Sequence, residues 1–178
     1  MKENNYIVTH SGIKFNPFTA TVDDILIEDI AHALSHVCRF AGHCDRFYSV
    51  GQHSMIVSDN CPDKYKLWGL LHDATEAYLC DIPRPFKRMK GFDFYNELED
   101  SLMAVIAKKF GLDGISVPPI VKQHDVKALF TEKRDLISNN VSWEWENEPD
   151  VYENKIIPLP SFSVKIMFLD KFDKLTRI

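Results

Sequence analysis

The stretch that decides the fold runs from position 72 to position 81 and reads His72-Asp73-Ala74-Thr75-Glu76-Ala77-Tyr78-Leu79-Cys80-Asp81. It continues an apolar run that includes Trp68 and Leu71, and together they predict one amphipathic helix over residues 64–79. Asp81-Ile82-Pro83 ends this helix, because the residue before a proline is pushed out of the α region.

The predicted helix carries titratable side chains next to residues that belong in a core. His72 and Glu76 lie one turn apart, and Asp73 and Glu76 are neighbours at a spacing of three positions. Asp81 follows just beyond the last turn. Unpaired charges in such a place cost several kcal/mol, roughly, so a bound cation is the simplest compensating partner. We therefore predict the active site at this stretch.

Two other predicted helices carry candidate metal ligands, His53 and Asp125. With His72 and Asp73 they form a set of two imidazoles and two carboxylates, which suits a divalent ion such as Mn, Fe, Co, Ni or Zn. Four protein ligands leave one or two positions for water, whose pKa the ion would lower. Spacing in the sequence leaves open whether Asp125 reaches His53.

The rest of the chain predicts an all-α, compact bundle of five or six helices with irregular loops and hardly any sheet. The predicted elements are a short hairpin over 6–8 and 13–15, a helix capped at Asp23-Asp24, a helix capped by Ser49, the helix over 64–79, a helix over 92–110 ended by Gly111, a helix over 120–137 opened by Pro118 and Pro119, and a last helix capped by Ser161 or Ser163. Residues 81–91 and 138–160 are predicted to be irregular. His32 and His36 share one helix face without a carboxylate, and we interpret them as ordinary histidines rather than a metal pair.

Composition limits the class of protein. The 178 residues are 45% hydrophobic and 26% charged, which fits one domain over residues 1–178. A formal charge of −5 gives no general case for nucleic-acid binding, since duplex binders carry a basic face. The N-terminus is polar and no apolar run approaches about 18 residues, so we expect neither secretion nor a membrane span. The four cysteines show no CxxC pair, and we expect reduced thiols in a cytoplasm.

At the residues singled out above, the sequence resembles the HD-domain phosphohydrolases, whose hallmark is an H…HD…D pattern. The resemblance covers nearly the whole chain. Its matching segments are Gln52-His53-Ser54, Leu71-His72-Asp73-Ala74-Thr75-Glu76, Asp81-Ile82-Pro83 and Val121-Lys122-Gln123-His124-Asp125. Within the family the chain resembles in particular the bacterial 5′-deoxynucleotidases and their phage-encoded relatives, which include dATP triphosphohydrolases. As in those enzymes, an arginine and an aromatic residue, Arg39-Phe40, precede the first histidine. The segments 29–34 and 47–50 are similar to the phage proteins.

The resemblance implies four metal ligands and two catalytic groups. The ligands are His53, His72, Asp73 and Asp125. Glu76 would orient or deprotonate the attacking water, or protonate the leaving group. Asp81 would support the site or hold a second divalent ion such as Mg.

The resemblance also implies three substrate-binding residues. Arg39 and Lys87 would hold phosphate oxygens, Arg39 in a bidentate manner. Phe40 would pack against the base or the sugar, where the deoxynucleotidases have Trp. The prolines of the segment 81–91 would hold Lys87 near the metal.

The implied function is metal-dependent hydrolysis of the 5′ phosphate ester of a small deoxyribonucleotide, not of a nucleic acid. The family supplies two cuts, and the phage-like segments favour release of triphosphate from a dNTP, dATP first, over release of phosphate from a dNMP. A catalytically silent HD module that senses a nucleotide is the alternative of another class, which the intact Glu76 and Arg39 disfavour. The resemblance further implies a homo-oligomer in the cytoplasm, that of the host cell for a phage-encoded chain.

Overall fold

The computed structural model describes residues 5–138, 143 and 148–177. Over these ranges the chain is mostly helical and its only sheet has two strands, which confirms the predicted all-α class. The strands are β1 (Ile7–Val8) and β2 (Lys14–Phe15), and the helices are α1 (Ile27–His36), α2 (Val50–Asn60), α3 (Lys66–Leu71), α4 (Glu76–Leu79), α5 (Arg84–Lys87), α6 (Asp93–Phe110), α7 (Pro119–Leu136) and α8 (Ser161–Thr176). Five of these helices have ten residues or more. No helix in the described ranges is both long and apolar enough to cross a membrane.

The predicted hairpin is confirmed and is tied to two helices. Ile7 lies opposite Phe15 in the antiparallel pair. Phe15 is fully buried and stacks on Tyr78 of α4, with ring centroids 4.1 Å apart. In the turn, the amide and the hydroxyl of Ser11 donate to the carboxylate of Asp29 on α1, at 2.7 and 2.6 Å. The hairpin therefore packs against α4, the helix that begins with Glu76.

The prediction of one uninterrupted helix over 64–79 is wrong. The chain leaves the α-helix after Leu71 and re-enters it at Glu76. Between these points the amide of Ala74 donates to the carbonyl of Leu71 and that of Glu76 to the carbonyl of Asp73, both at 3.0 Å. These are bonds over three positions, the tighter 3₁₀ pattern. His72 and Asp73 therefore lie in a turn between two short helices.

Helix ends follow the predicted signals in part. The Ser49 hydroxyl accepts from the amide of Gln52 at 3.2 Å, and Gly111 ends α6 in the left-handed region with φ 65°, as predicted. Pro119 opens α7, also as predicted. The predicted caps at Asp23-Asp24 and at Ser161 or Ser163 are wrong, because Leu26 precedes α1 and Pro160 precedes α8.

Of the two segments predicted to be irregular, one contains a short helix and the other has no helix or strand in its described residues. Residues 81–91 contain the short helix α5, which two prolines around Arg84 start. In the segment 138–160, residues 138, 143 and 148–160 form no helix or strand. The remaining parts of that prediction, 139–142 and 144–147, lie outside the described residues.

The largest buried cluster lies between α1, α2, α3 and α8. It includes Ile30 and Leu34 of α1, Val50 of α2, Leu70 of α3, and Val164 and Phe168 of α8. Burying a side chain of this kind contributes about 1.5–3 kcal/mol, so this cluster fixes the relative positions of the helices around the site.

Gly69 allows α2 and α3 to approach closely. A Cβ atom at this position would lie 2.8 Å from Ser58 Cα and 3.0 Å from its nitrogen, distances that a real side chain does not adopt. Only glycine therefore fits here. The close approach brings His53 of α2 beside His72, with ring centroids 5.2 Å apart.

Candidate active site

The four predicted metal ligands come together. His53 Nε2 lies 3.1 Å from Asp125 Oδ1, and His72 Nε2 lies 3.1 Å from Asp73 Oδ2. The cross distances are 3.6 Å from His53 Nε2 to Asp73 Oδ2 and 4.0 Å from His72 Nε2 to Asp125 Oδ1. Ligand atoms that are each about 2.1 Å from a shared ion lie roughly 3–4 Å from one another. His53, His72 and Asp73 therefore have ligand atoms spaced as in a metal site, and Asp125 reaches this group through its approach to His53.

Hydrogen bonds fix both imidazoles with Nε2 toward this centre. His72 Nδ1 donates to the carbonyl of Gly69 at 2.8 Å, and His53 Nδ1 donates to the carboxylate of Glu132 at 2.6 Å. In a neutral ring the proton on Nδ1 leaves the Nε2 lone pair free for a ligand bond. Both Nε2 atoms are buried and have no hydrogen-bond partner among the described residues, although carboxylate oxygens lie nearby. Two such nitrogens facing two carboxylates fit a divalent metal ion.

The electrostatics of the centre favour a bound cation. Burial and Arg39 would lower the pKa of His53, but the carboxylates of Glu132 and Asp125 outweigh them and raise this pKa to about 9. Burial would likewise raise the pKa of Asp73, yet His72, His53 and Arg39 hold it below its usual range. Without an ion, His53 therefore keeps a proton that a metal ion would displace.

Glu76 lies at the start of α4 beside this centre, and Asp81 follows that helix. Burial raises the pKa of Glu76 well above its usual value, and the charges of Asp73 and Asp81 raise it further. Its Oε2 atom is buried and has no hydrogen-bond partner in the described part of the chain. Burial and Asp73 also raise the pKa of Asp81. Glu76 is thus a buried carboxyl group whose pKa is raised by burial and by two neighbouring carboxylates.

The centre opens into a cavity of about 1230 Å³. All the predicted site residues except the two histidines line its wall. Four permanent cations also face it, namely Arg39, Arg84, Lys87 and Arg88. Ligand cavities are usually about 300–1,000 Å³, so the space admits a nucleotide with its phosphates.

A strained loop presents Arg39 and Phe40 to the cavity. Phe40 and Ala41 both have left-handed backbones, with φ of 54° and 50°. Such residues cost about 1–3 kcal/mol each and persist where the surrounding structure holds them. Here the amide of Arg39 donates to the carbonyl of Tyr48 at 2.9 Å. The ring of Phe40 lies 6.2 Å from that of Trp143, so aromatic surface forms one end of the cavity.

Full-length similarity places the chain in a family. No protein-family model matches it. It is 40% identical over 177 residues to the uncharacterized protein YfdR of Escherichia coli (strain K12), covering 98% of this chain and 97% of that protein. The chain belongs to the YfdR family. A second relative, the uncharacterized protein RCAP_rcc00048 of Rhodobacter capsulatus, is 35% identical over 149 residues, 79% of this chain and 74% of its own length.

Glu132 is a buried residue of this site that the sequence analysis did not predict. Its side chain is fully buried, and its carboxylate accepts three hydrogen bonds. Oε1 accepts from Tyr48 Oη at 2.9 Å and from His53 Nδ1 at 2.6 Å, while Oε2 accepts from Arg39 Nη2 at 3.1 Å. Burial would raise the pKa of Glu132, but Arg39 and His53 hold it below its usual value. The available signal was its position seven residues after Asp125, which places both on one face of a helix.

The predicted phosphate ligand Lys87 is already paired. Its Nζ atom donates to Glu99 at 2.7 Å, so part of its charge is neutralised within the cavity wall. Arg84, which the prediction did not include, lies nearer to the ligand set, with Nη2 3.7 Å from Asp125 Oδ2. Arg39 and Arg84 therefore flank the centre from two sides.

A second group of histidines lies outside the site. His32 stacks between His10 and His36, with ring centroids 3.6 and 4.4 Å away. Lys165 Nζ lies 3.2 Å from His10 Nε2 and 3.5 Å from His32 Nδ1. Over the described ranges, only His53, His72 and Asp73 have ligand atoms that converge as a group of three or more.

Proposed function

We propose that this protein is a metal-dependent hydrolase that cleaves the 5′ phosphate ester of a deoxyribonucleotide. The observation that carries the proposal is the pair of buried Nε2 atoms that have no hydrogen-bond partner in the described part of the chain and face two ionised carboxylates at a cavity lined by cations. This combination serves a metal ion and an anionic substrate together.

His53, His72, Asp73 and Asp125 would hold the ion. Imidazole and carboxylate donors in this ratio suit Mn, Fe, Co, Ni or Zn, and Asp81 is available to a second ion such as Mg. The metal would supply a lowered water pKa and would polarise a phosphate oxygen.

The side chains around the ion have separate tasks in the proposed reaction. A water molecule adds its oxygen to the phosphorus atom and releases one proton to solvent, the bond from phosphorus to the 5′ oxygen breaks, and the 5′ oxygen takes up one proton. The raised pKa of the Glu76 carboxyl, caused by burial and by Asp73 and Asp81, supports a role for Glu76 in giving that proton to the leaving oxygen. Arg39 and Arg84 would hold the charge that the phosphate oxygens carry.

We favour a deoxynucleoside triphosphate, with dATP as the first candidate, over a monophosphate. Arg39, Arg84 and Arg88 line the cavity in addition to Lys87, which pairs with Glu99, and three guanidinium groups suit more than one phosphate group. The resemblance of segments 29–34 and 47–50 to phage dATP triphosphohydrolases supports the same choice. The products would be deoxyadenosine and intact triphosphate.

Chromatography of the products tests the proposal. Mn-loaded protein is incubated with a panel of NMPs, dNMPs, NTPs and dNTPs, with the Asp73→Ala variant as the control for contaminating activity. Deoxyadenosine and triphosphate from dATP, with ATP much poorer, is the expected result. dAMP or dADP as first product excludes this cut. Inert dNTPs with release of phosphate from dAMP would instead make the protein a 5′-deoxynucleotidase, and binding without any turnover would make it a nucleotide-sensing module.

A further inference from the structure

Arg39 lies between two carboxylates that have different tasks. Its Nη2 atom donates to Glu132 Oε2 at 3.1 Å, and its Nη1 atom lies 4.0 Å from Asp73 Oδ2, beyond hydrogen-bond distance. The Arg39 side chain is only 11% exposed, and its Nε atom has no hydrogen-bond partner within the described residues. The guanidinium is therefore a buried cation that is only partly satisfied, next to a predicted metal ligand.

Contact between Arg39 and Asp73 would work against a metal ion. A guanidinium that closes on a carboxylate occupies its oxygens with bidentate hydrogen bonds. It also places a permanent positive charge beside the ion, where a buried environment screens repulsion poorly. Because a buried charge must be paired, Asp73 is the nearest carboxylate available to Arg39 if its partner is lost.

We propose that Glu132 is a positioning residue that holds Arg39 away from Asp73 and so keeps the Asp73 carboxylate available to the metal ion. The inference rests on the proposed function, since it takes the metal centre as given. The inference extends the proposed function, because it assigns a task to Glu132, a buried residue that does not line the cavity.

The hydrogen bonds of Glu132 suit this task. Tyr48 and His53 both donate to Oε1, which leaves Oε2 to Arg39 alone. Two fixed donors on one oxygen prevent the carboxylate from rotating toward the cavity. Glu132 also shares α7 with Asp125, so one helix positions a metal ligand and the partner of the arginine.

The substitution Glu132→Gln separates the bond to Arg39 from the others. The amide oxygen can still accept from Tyr48 and His53, but the amide nitrogen that replaces Oε2 is a donor and faces the donor Arg39. The measurement is the titration of metal-free protein with Co²⁺, followed by its visible absorption. We expect Glu132→Gln to bind Co²⁺ roughly 10–100-fold more weakly, the usual range for supporting residues of metal sites.

The double variant decides between positioning and simple structural support. Arg39→Ala alone should bind Co²⁺ at least as tightly as the unmodified protein. The double variant Glu132→Gln/Arg39→Ala should bind Co²⁺ about tenfold more tightly than Glu132→Gln alone. A coupling of this size is within the range measured between residues of one hydrogen-bond network. Without this recovery, Glu132 acts only as structural support and the inference is overturned.

Controls keep the outcomes distinct. Glu99→Gln makes the same chemical change at the carboxylate that pairs with Lys87, and it should leave the Co²⁺ affinity within about twofold. If Glu132→Gln does not fold, Glu132→Asp with and without Arg39→Ala replaces it; the shorter side chain withdraws the carboxylate from Tyr48, His53 and Arg39 together, and the recovery in the double variant measures the part due to Arg39. Absence of Co²⁺ binding by the unmodified protein would defeat the proposed function itself. Equal Co²⁺ affinity of the unmodified protein and Glu132→Gln would overturn this inference and leave the proposed function standing.

Discussion

Glu76 has a proposed acid–base role and also carries a cost to the fold, and the substitution Glu76→Met should separate the two. The carboxyl is 5% exposed and its Oε2 has no partner among the described residues. A buried polar group without a partner costs about 1–3 kcal/mol, and methionine fills a similar volume without polar atoms. We expect the free energy of unfolding of the metal-free protein to rise by about 2 kcal/mol. For a chain of this size that corresponds to a melting temperature roughly 4–8 °C higher.

The same substitution should remove most of the activity but not the metal. A positioned acid–base group contributes about 10²–10⁴-fold to the rate, so kcat should fall by that factor. Metal content should stay at the level of the unmodified protein, because Glu76 is not one of the four ligands in the proposed centre.

Urea denaturation of the metal-free proteins measures the stability change, and elemental analysis measures the metal. Glu97→Met is the matched control, because Glu97 is exposed on α6 and its replacement should change stability by less than about 0.5 kcal/mol. A lower urea midpoint for Glu76→Met would show that the carboxyl is well partnered. Loss of metal together with activity would show that Glu76 is a ligand, and either result refutes the reasoning.

Three further predictions follow from individual residues. Asp73→Ala should lose the metal, and chelation of the unmodified protein should abolish activity that Mn or Co restores better than Ca; elemental analysis showing full occupancy in the variant would contradict this. Gly69→Ala should lower the free energy of unfolding by about 2 kcal/mol, because its Cβ would lie 2.8 Å from Ser58 Cα; an unchanged urea midpoint would show that α2 and α3 separate freely. Ala41→Gly should stabilise the protein by about 1 kcal/mol by relieving a left-handed backbone at φ 50°. The same change at Ala33, inside α1, should instead destabilise it by about 0.5–1 kcal/mol, and equal effects at the two positions would contradict the assignment of strain to the loop.

Local signals predicted much of the fold. Ser49 and Gly111 mark helix ends because their effects act within one turn, through a side-chain acceptor and a left-handed backbone. The break at residues 72–75 escaped prediction for a physical reason. Bonds over three or four positions both keep residues i and i+3 on one side, so the apolar pattern cannot distinguish a 3₁₀ turn from an α-helix.

The site was predictable where its residues are neighbours in the chain. Spacing in the sequence predicts that His72, Asp73 and Glu76 lie close together. The approach of Asp125 to His53 depends instead on how the helices pack. Glu132 looks like an ordinary charged position of an amphipathic helix. Its burial arises from partners 79–93 positions away, including Tyr48 and Arg39, which no local pattern contains.

Anomalous diffraction from crystals soaked in Mn²⁺ tests the central claim most directly. A metal ion at the proposed centre gives one strong peak at about 2.1 Å from the Nε2 atoms of His53 and His72, with Asp73 and Asp125 completing the set of ligands. A peak at the surface histidines around His32, with none at this centre, would contradict the account.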